Sequence, residues 1–113
     1  MSHAVRILSR ARRDIDEIVR HLAGRSVAGA ASWIRALDRA LKRLSDHAES
    51  CSLAAEDEFV AISVREILFK TRRGRVYRML FTIREGTVFV MHVRAPGRDF
   101  VGEGELEDPE LES

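Results

Sequence analysis

The sequence predicts an α+β domain in the order β-α-α-β-β-β, a helical hairpin packed on one face of a small antiparallel sheet. Two stretches in the first half of the chain place apolar residues at helical spacing. Three later stretches alternate with a period of two and are separated by glycine-containing loops short enough for hairpins. The 113 residues, 45% of them hydrophobic, suffice for one core but not for two. A single domain over residues 1–101 is therefore expected, followed by a tail at 102–113.

Ala4 to Leu8 reads as a short apolar strand, and Ser9 offers an oxygen to cap the next segment. Ile15, Ile18, Val19 and Leu22 fall at i, i+3, i+4 and i+7, so a first helix is expected over about Arg10 to Ala23, with Gly24 as its terminator. Ser26 is a second candidate cap. Ile34, Leu37, Leu41 and Leu44 repeat the spacing to about Ser45, with Trp33 and Ala40 widening the stripe and Trp33 as core anchor. So few residues join the helices that they should pack as an antiparallel pair. Residues 46–61 show no clean period, and Glu56-Asp57-Glu58 reads as a solvated turn, or else as a contact with a basic strand or the holder of a base. Strands are expected over about Val64 to Lys70, Val76 to Arg84 and Val88 to Arg94.

Register decides which side chains share a face. A two-residue loop at Glu85-Gly86 would set Arg78 opposite Val93 and scatter charge over both faces. A three-residue loop, Glu85-Gly86-Thr87, pairs Arg84 with Val88, Leu80 with His92 and Arg78 with Arg94. Tyr77, Met79, Phe81, Ile83, Phe89, Met91 and Val93 then form one apolar face, and Glu66, Lys70, Arg78, His92 and Arg94 collect on the other as a candidate site.

Charge is unevenly distributed. Formal net charge is +1, but residues 102–113 carry six acids and no base. Residues 1–101 hold all 19 basic side chains and 12 acids, a balance of +7. Residues 65–99 alone contain nine Lys/Arg against three acids, a pattern suited to a polyanion or an acidic partner. Arg predominates, 17 to two over Lys; its fork suits bidentate phosphate or carboxylate contacts, although a GC-rich genome gives the same bias. Two arginines on neighbouring strands, Arg78 and Arg94, cost stability unless something anionic lies across them; the alternative is a solvent face with guanidinium groups reaching water. The single Cys51 permits no internal disulfide and no cysteine cluster for zinc. No apolar run approaches the roughly 20 residues of a membrane span and no signal-peptide stretch is visible, so a soluble cytoplasmic protein is expected, with a polar, disordered tail.

The order of elements and several local words together resemble the RelE/ParE toxin superfamily of bacterial and archaeal type II toxin-antitoxin systems, the plasmid-stabilisation toxins. They are ARRDIDEIVRHL in the first helix, Val64-Arg65-Glu66 opening the sheet, Tyr77-Arg78-Met79-Leu80-Phe81 in its middle strand and VFVMHVRAPGRD from Val88 to Asp99. The likeness spans about residues 4–101. It implies a compact toxin neutralised by a cognate antitoxin protein, needing no metal or other cofactor, with one of two activities: metal-independent cleavage of mRNA on the ribosome, or non-enzymatic inhibition of DNA gyrase. For the mRNA interferase (endoribonuclease), which leads the sequence reading, Arg78, Lys70 and either Arg94 or Arg98 would hold the scissile phosphate while a ribose 2′-hydroxyl attacks it, and His92 or Glu66 would exchange protons. Arg65, Arg72, Arg73, Arg75, Arg84 and Arg98 would bind RNA. A lysine found in RelE-like members is replaced by Leu68, and their C-terminal tyrosine has no counterpart unless Phe100 occupies its place. A gyrase inhibitor is the alternative, and a degenerate toxin acting only as a nucleic-acid-binding module stands behind both.

Overall fold

The computed structural model describes residues 2–59 and 62–96; the tail and Arg98 lie outside them. Strand β1 (Ala4–Ile7) leads into α1 (Ser9–Arg25) and α2 (Val27–His47), and after two short 3₁₀ turns, Ala48–Ser50 and Ala55–Phe59, come β2 (Arg65–Phe69), β3 (Tyr77–Arg84) and β4 (Thr87–Arg94). Sheet order is β1-β4-β3-β2. The pairs β2-β3 and β3-β4 are antiparallel, as the hairpin loops predict, whereas β1 joins β4 in parallel, so the sheet is mixed. The helical crossover α1-α2 between β1 and the remaining strands makes that parallel pairing reachable.

Both helices bury one stripe. In α2 it comprises Ala30, Trp33, Ala36, Leu37, Ala40 and Leu44, rotated from the expected stripe so that Ile34 is 40% exposed. Alanines at three of the six positions bring the helix backbone close to its neighbours. Trp33 is 2% exposed and packs against Phe69 and Tyr77 at centroid distances of 5.6 and 5.3 Å. Ser26 makes the whole connection between the helices. Its amide donates to the Leu22 carbonyl at 2.8 Å, closing α1, and its hydroxyl accepts from Gly29 N at 3.0 Å, capping α2. Two expectations at α1 fail: Ser9 is its first residue with Leu8 at the cap position, and the helix runs through Gly24 to Arg25. Gly24 has open space around it and needs no left-handed conformation.

The β3-β4 register reconciles both hairpin alternatives. The turn has two residues, Glu85 at φ 50° and Gly86 at φ 78°, the left-handed pair a tight hairpin requires, and Arg84 faces Thr87. A bulge then shifts the register between Leu80 and Phe81: Phe81 pairs with Val90 but Leu80 with His92, so Met91 is the extra residue. Beyond it the expected Leu80-His92 and Arg78-Arg94 pairs hold. Between the turn and the bulge the faces of β4 are reversed relative to expectation, while Phe81 and Ile83 of β3 keep the expected face. Val88 and Val90 join Met79, Phe81, Val93, Ile67 and Phe69 against the helices, while Phe89 and Met91 lie with Leu80 on the far side.

Candidate functional site

The far face of the sheet is not an open cationic surface. The segment after α2 returns along β2: Glu66 N donates to Ser52 O at 3.0 Å and Ala54 N to Val64 O at 2.8 Å, and Asp57 accepts from Val64 N at 2.8 Å. Ala54 and Val64 pack there with Leu80, Met91 and Leu8. This fastening carries Glu56 into the structure with no exposed surface.

Glu56 meets Arg78. The guanidinium donates from Nη1 to Glu56 Oε2 at 2.9 Å and from Nη2 to Glu56 Oε1 at 2.6 Å, a bidentate fork. Its remaining edge donates to Glu66 Oε2, from Nε at 3.3 Å and from Nη2 at 3.1 Å. The Glu56 bonds, against opposing burial and with help from Glu66, hold Arg78 above its already very basic ordinary value. Arg94 stands opposite Arg78. The anion expected to lie across the two arginines is thus supplied, at Arg78, by the protein's own carboxylates.

A second polar cluster forms where β1 ends. Its last pair is Ile7 with Val90, and beyond that point Asp14 of α1 substitutes for a strand, its Oδ2 accepting from Val93 N at 3.0 Å. Asp14 Oδ1 accepts from Arg10 Nε at 3.1 Å, and His92 Nδ1 lies 3.6 Å from Oδ2. Burial alone would raise the Asp14 pKa; the nearby His92 ring and the bonds from the Val93 amide and Arg10 outweigh it and leave the carboxyl below its ordinary value. His92, expected on an open charged face, is 1% exposed.

The other sequence candidates separate. Lys70 is exposed just past β2. Arg65 donates to the carbonyls of Cys51 at 2.7 Å and Glu49 at 3.3 Å, tying β2 to the 3₁₀ turn that follows α2. Arg84 is half-buried and Arg75 exposed, the latter lining a cleft beside Trp33 and Tyr77. Arg72 and Arg73 are exposed in the β2-β3 turn. Of the candidates, the structure brings Glu66, Arg78 and Arg94 together. Glu56 and Asp14 were not among them; the acidic run Glu56-Asp57-Glu58 was the one signal for Glu56, and its reading as a basic-strand contact applies to that residue. Burial pushes the Cys51 thiol up, against the pull of Arg43 and Arg65, which does not favour a nucleophile.

A helical hairpin on one face of a four-strand mixed sheet, in the chain order β1-α1-α2-β2-β3-β4, is consistent with the RelE/ParE toxin fold. Residues 5–100 match the family described as ParE toxin of type II toxin-antitoxin system, parDE, and the chain belongs to that family. No curated protein matches it at a significant level. Membership makes it the toxin of a toxin-antitoxin pair and implies an antitoxin partner. Among the described residues no helix is long and apolar enough to cross a membrane.

Proposed function

We propose that this toxin acts by binding a macromolecular target and not by cleaving mRNA, and that DNA gyrase, the target implied for ParE-like members, is the one to test first. The bidentate capture of Arg78 by the buried Glu56 supports this reading. Cleavage through a 2′-hydroxyl needs a cation free to meet the phosphate and a group able to exchange a proton with it. A phosphate brought to Arg78 would meet two carboxylates already there, and His92 lies against Asp14 with 1% exposure.

Induced expression without an antitoxin should arrest growth. Purified protein should inhibit gyrase supercoiling while leaving ribosome-bound mRNA intact. Ribosome-dependent cleavage that disappears in a folded Arg78→Ala variant would overturn the proposal and restore the interferase reading, in which Lys70, Arg94 and Glu66 would also act.

A further inference from the structure

Away from the Arg78 face, α2 and the β2-β3 turn enclose a cleft of about 490 Å³ lined by Arg35, Arg39, Arg72 and Arg73 together with the Ser32 and Thr71 side chains and Gly29. Arg35 and Arg39, four residues apart, lie on one side of α2 and about 6 Å apart along its axis. Arg72 and Arg73 face them from a turn closed by Gly74 N donating to Thr71 O at 3.2 Å. That turn is shaped around a glycine, since a methyl group at Gly74 would collide with the Thr71 hydroxyl. All four arginines are exposed. Their one side-chain bond is from Arg35 Nη2 to Ser32 Oγ at 3.1 Å, and among the described residues no carboxylate stands within ion-pair distance of any of them.

We propose that this cleft is a binding site for the phosphodiester backbone of a nucleic acid. Four like charges gathered with no described carboxylate in ion-pair contact, Asp38 between Arg35 and Arg39 on α2 being the acid nearest in sequence, repel one another, and a polyanion relieves that repulsion while releasing its own counterions. The lining selects phosphate over an acidic peptide. It offers guanidinium forks and hydroxyls to phosphate oxygens, and no large apolar side chain lines it to seat the aliphatic residues of a peptide. Contacts to the phosphodiester backbone carry no sequence information, so binding is independent of sequence. The site does not depend on how the toxin treats gyrase or mRNA.

The test uses the full chain and fluorescent mixed-sequence oligonucleotides, as single-stranded DNA, single-stranded RNA and duplex DNA, read by anisotropy. Four phosphate contacts give log-log salt slopes of about −2.8 for single strands and −3.6 for duplex, or losses of about 50-fold and 150-fold between about 50 and 200 mM salt. The arm with the tightest binding identifies the nucleic acid. Arg35→Gln with Arg39→Gln, or Arg72→Gln with Arg73→Gln, should weaken binding at least tenfold and roughly halve the slope. Arg13→Gln with Arg20→Gln, which removes the same charge from exposed positions of α1, should change affinity less than threefold. Equal losses in all three pairs, an unchanged slope in the cleft pairs, or displacement of the oligonucleotide by polyglutamate more readily than by unlabelled oligonucleotide of matched charge would each overturn the proposal.

Discussion

Replacing Glu56 by Gln removes the charge that holds Arg78 while keeping the side chain's size. Taking one member from a buried ion pair costs about 3–5 kcal/mol, chiefly because its partner is left buried and unpaired. Here Arg78 retains Glu66, and its side chain is 21% exposed, so it can recruit some water. The expected loss is at or below the lower end, about 2–3 kcal/mol. For a domain of this size that lowers the melting temperature by about 8–14 °C. Trp33, the single tryptophan, sits in the core 2% exposed and reports unfolding in a urea titration by fluorescence. The paired variant Glu56→Leu with Arg78→Met distinguishes an orphaned charge from lost packing. It removes the Arg78 guanidinium together with its buried partner, Glu66 at 27% side-chain exposure can turn to water, and well-packed apolar replacements for a buried pair are often neutral, so it should lie within about 1 kcal/mol of the parent protein. A loss below about 0.5 kcal/mol in Glu56→Gln, or a double variant as unstable as the sum of Glu56→Leu and Arg78→Met measured singly, would refute the reasoning.

Asp14, whose carboxyl is held below its ordinary value of 3.8, adds stability that is complete above that value and is lost as pH falls through its lower folded pKa. Asp14→Asn should therefore flatten the acid limb of a stability-against-pH profile below about pH 4, and an unaltered limb would show that Asp14 does not set it. Glu85, a left-handed non-glycine residue in the hairpin turn, should yield about 0.5–1 kcal/mol of added stability when replaced by Asn, which suits that conformation before glycine; denaturation midpoints decide this. Ser26→Ala removes the α2 cap and should cost about 1 kcal/mol, with the loss absent if the Gly29 amide finds water at no cost. Deleting residues 102–113, which carry six acids and no base, should tighten low-salt oligonucleotide binding if that acidic segment competes for basic residues; equal affinity excludes that competition.

Features that depend on near neighbours were legible in the sequence. Helical spacing located α1 and α2 to within about two residues at each end, Ser26 showed itself as a cap by type and position, and period-two alternation located all three later strands. The β3-β4 bulge was hidden because Met91 is compatible with either face, so the apolar count that favoured a three-residue loop obtained the correct Arg78-Arg94 pair through the wrong turn. Glu56 was hidden for a different reason. Its partner is 22 residues away, and whether an acidic turn is solvated or buried depends on the path of the chain between them, which no local period records. His92 likewise alternates as a surface residue; it is buried because β1 stops at the level of Val90 and α1 brings Asp14 alongside β4 beyond that point.

The parallel pairing of β1 with β4 joins the first strand of the domain to its last. Such contacts between distant parts of the chain carry a large loop-closure cost and slow folding. During synthesis β1 is made before β4 and has no neighbour in the sheet until Thr87–Arg94 has also emerged, so its own edge stays unpaired over that interval. The complete sheet, and with it the Asp14 contact to Val93 that depends on β1 and α1 being in place, therefore forms only once Thr87–Arg94 is available to join them.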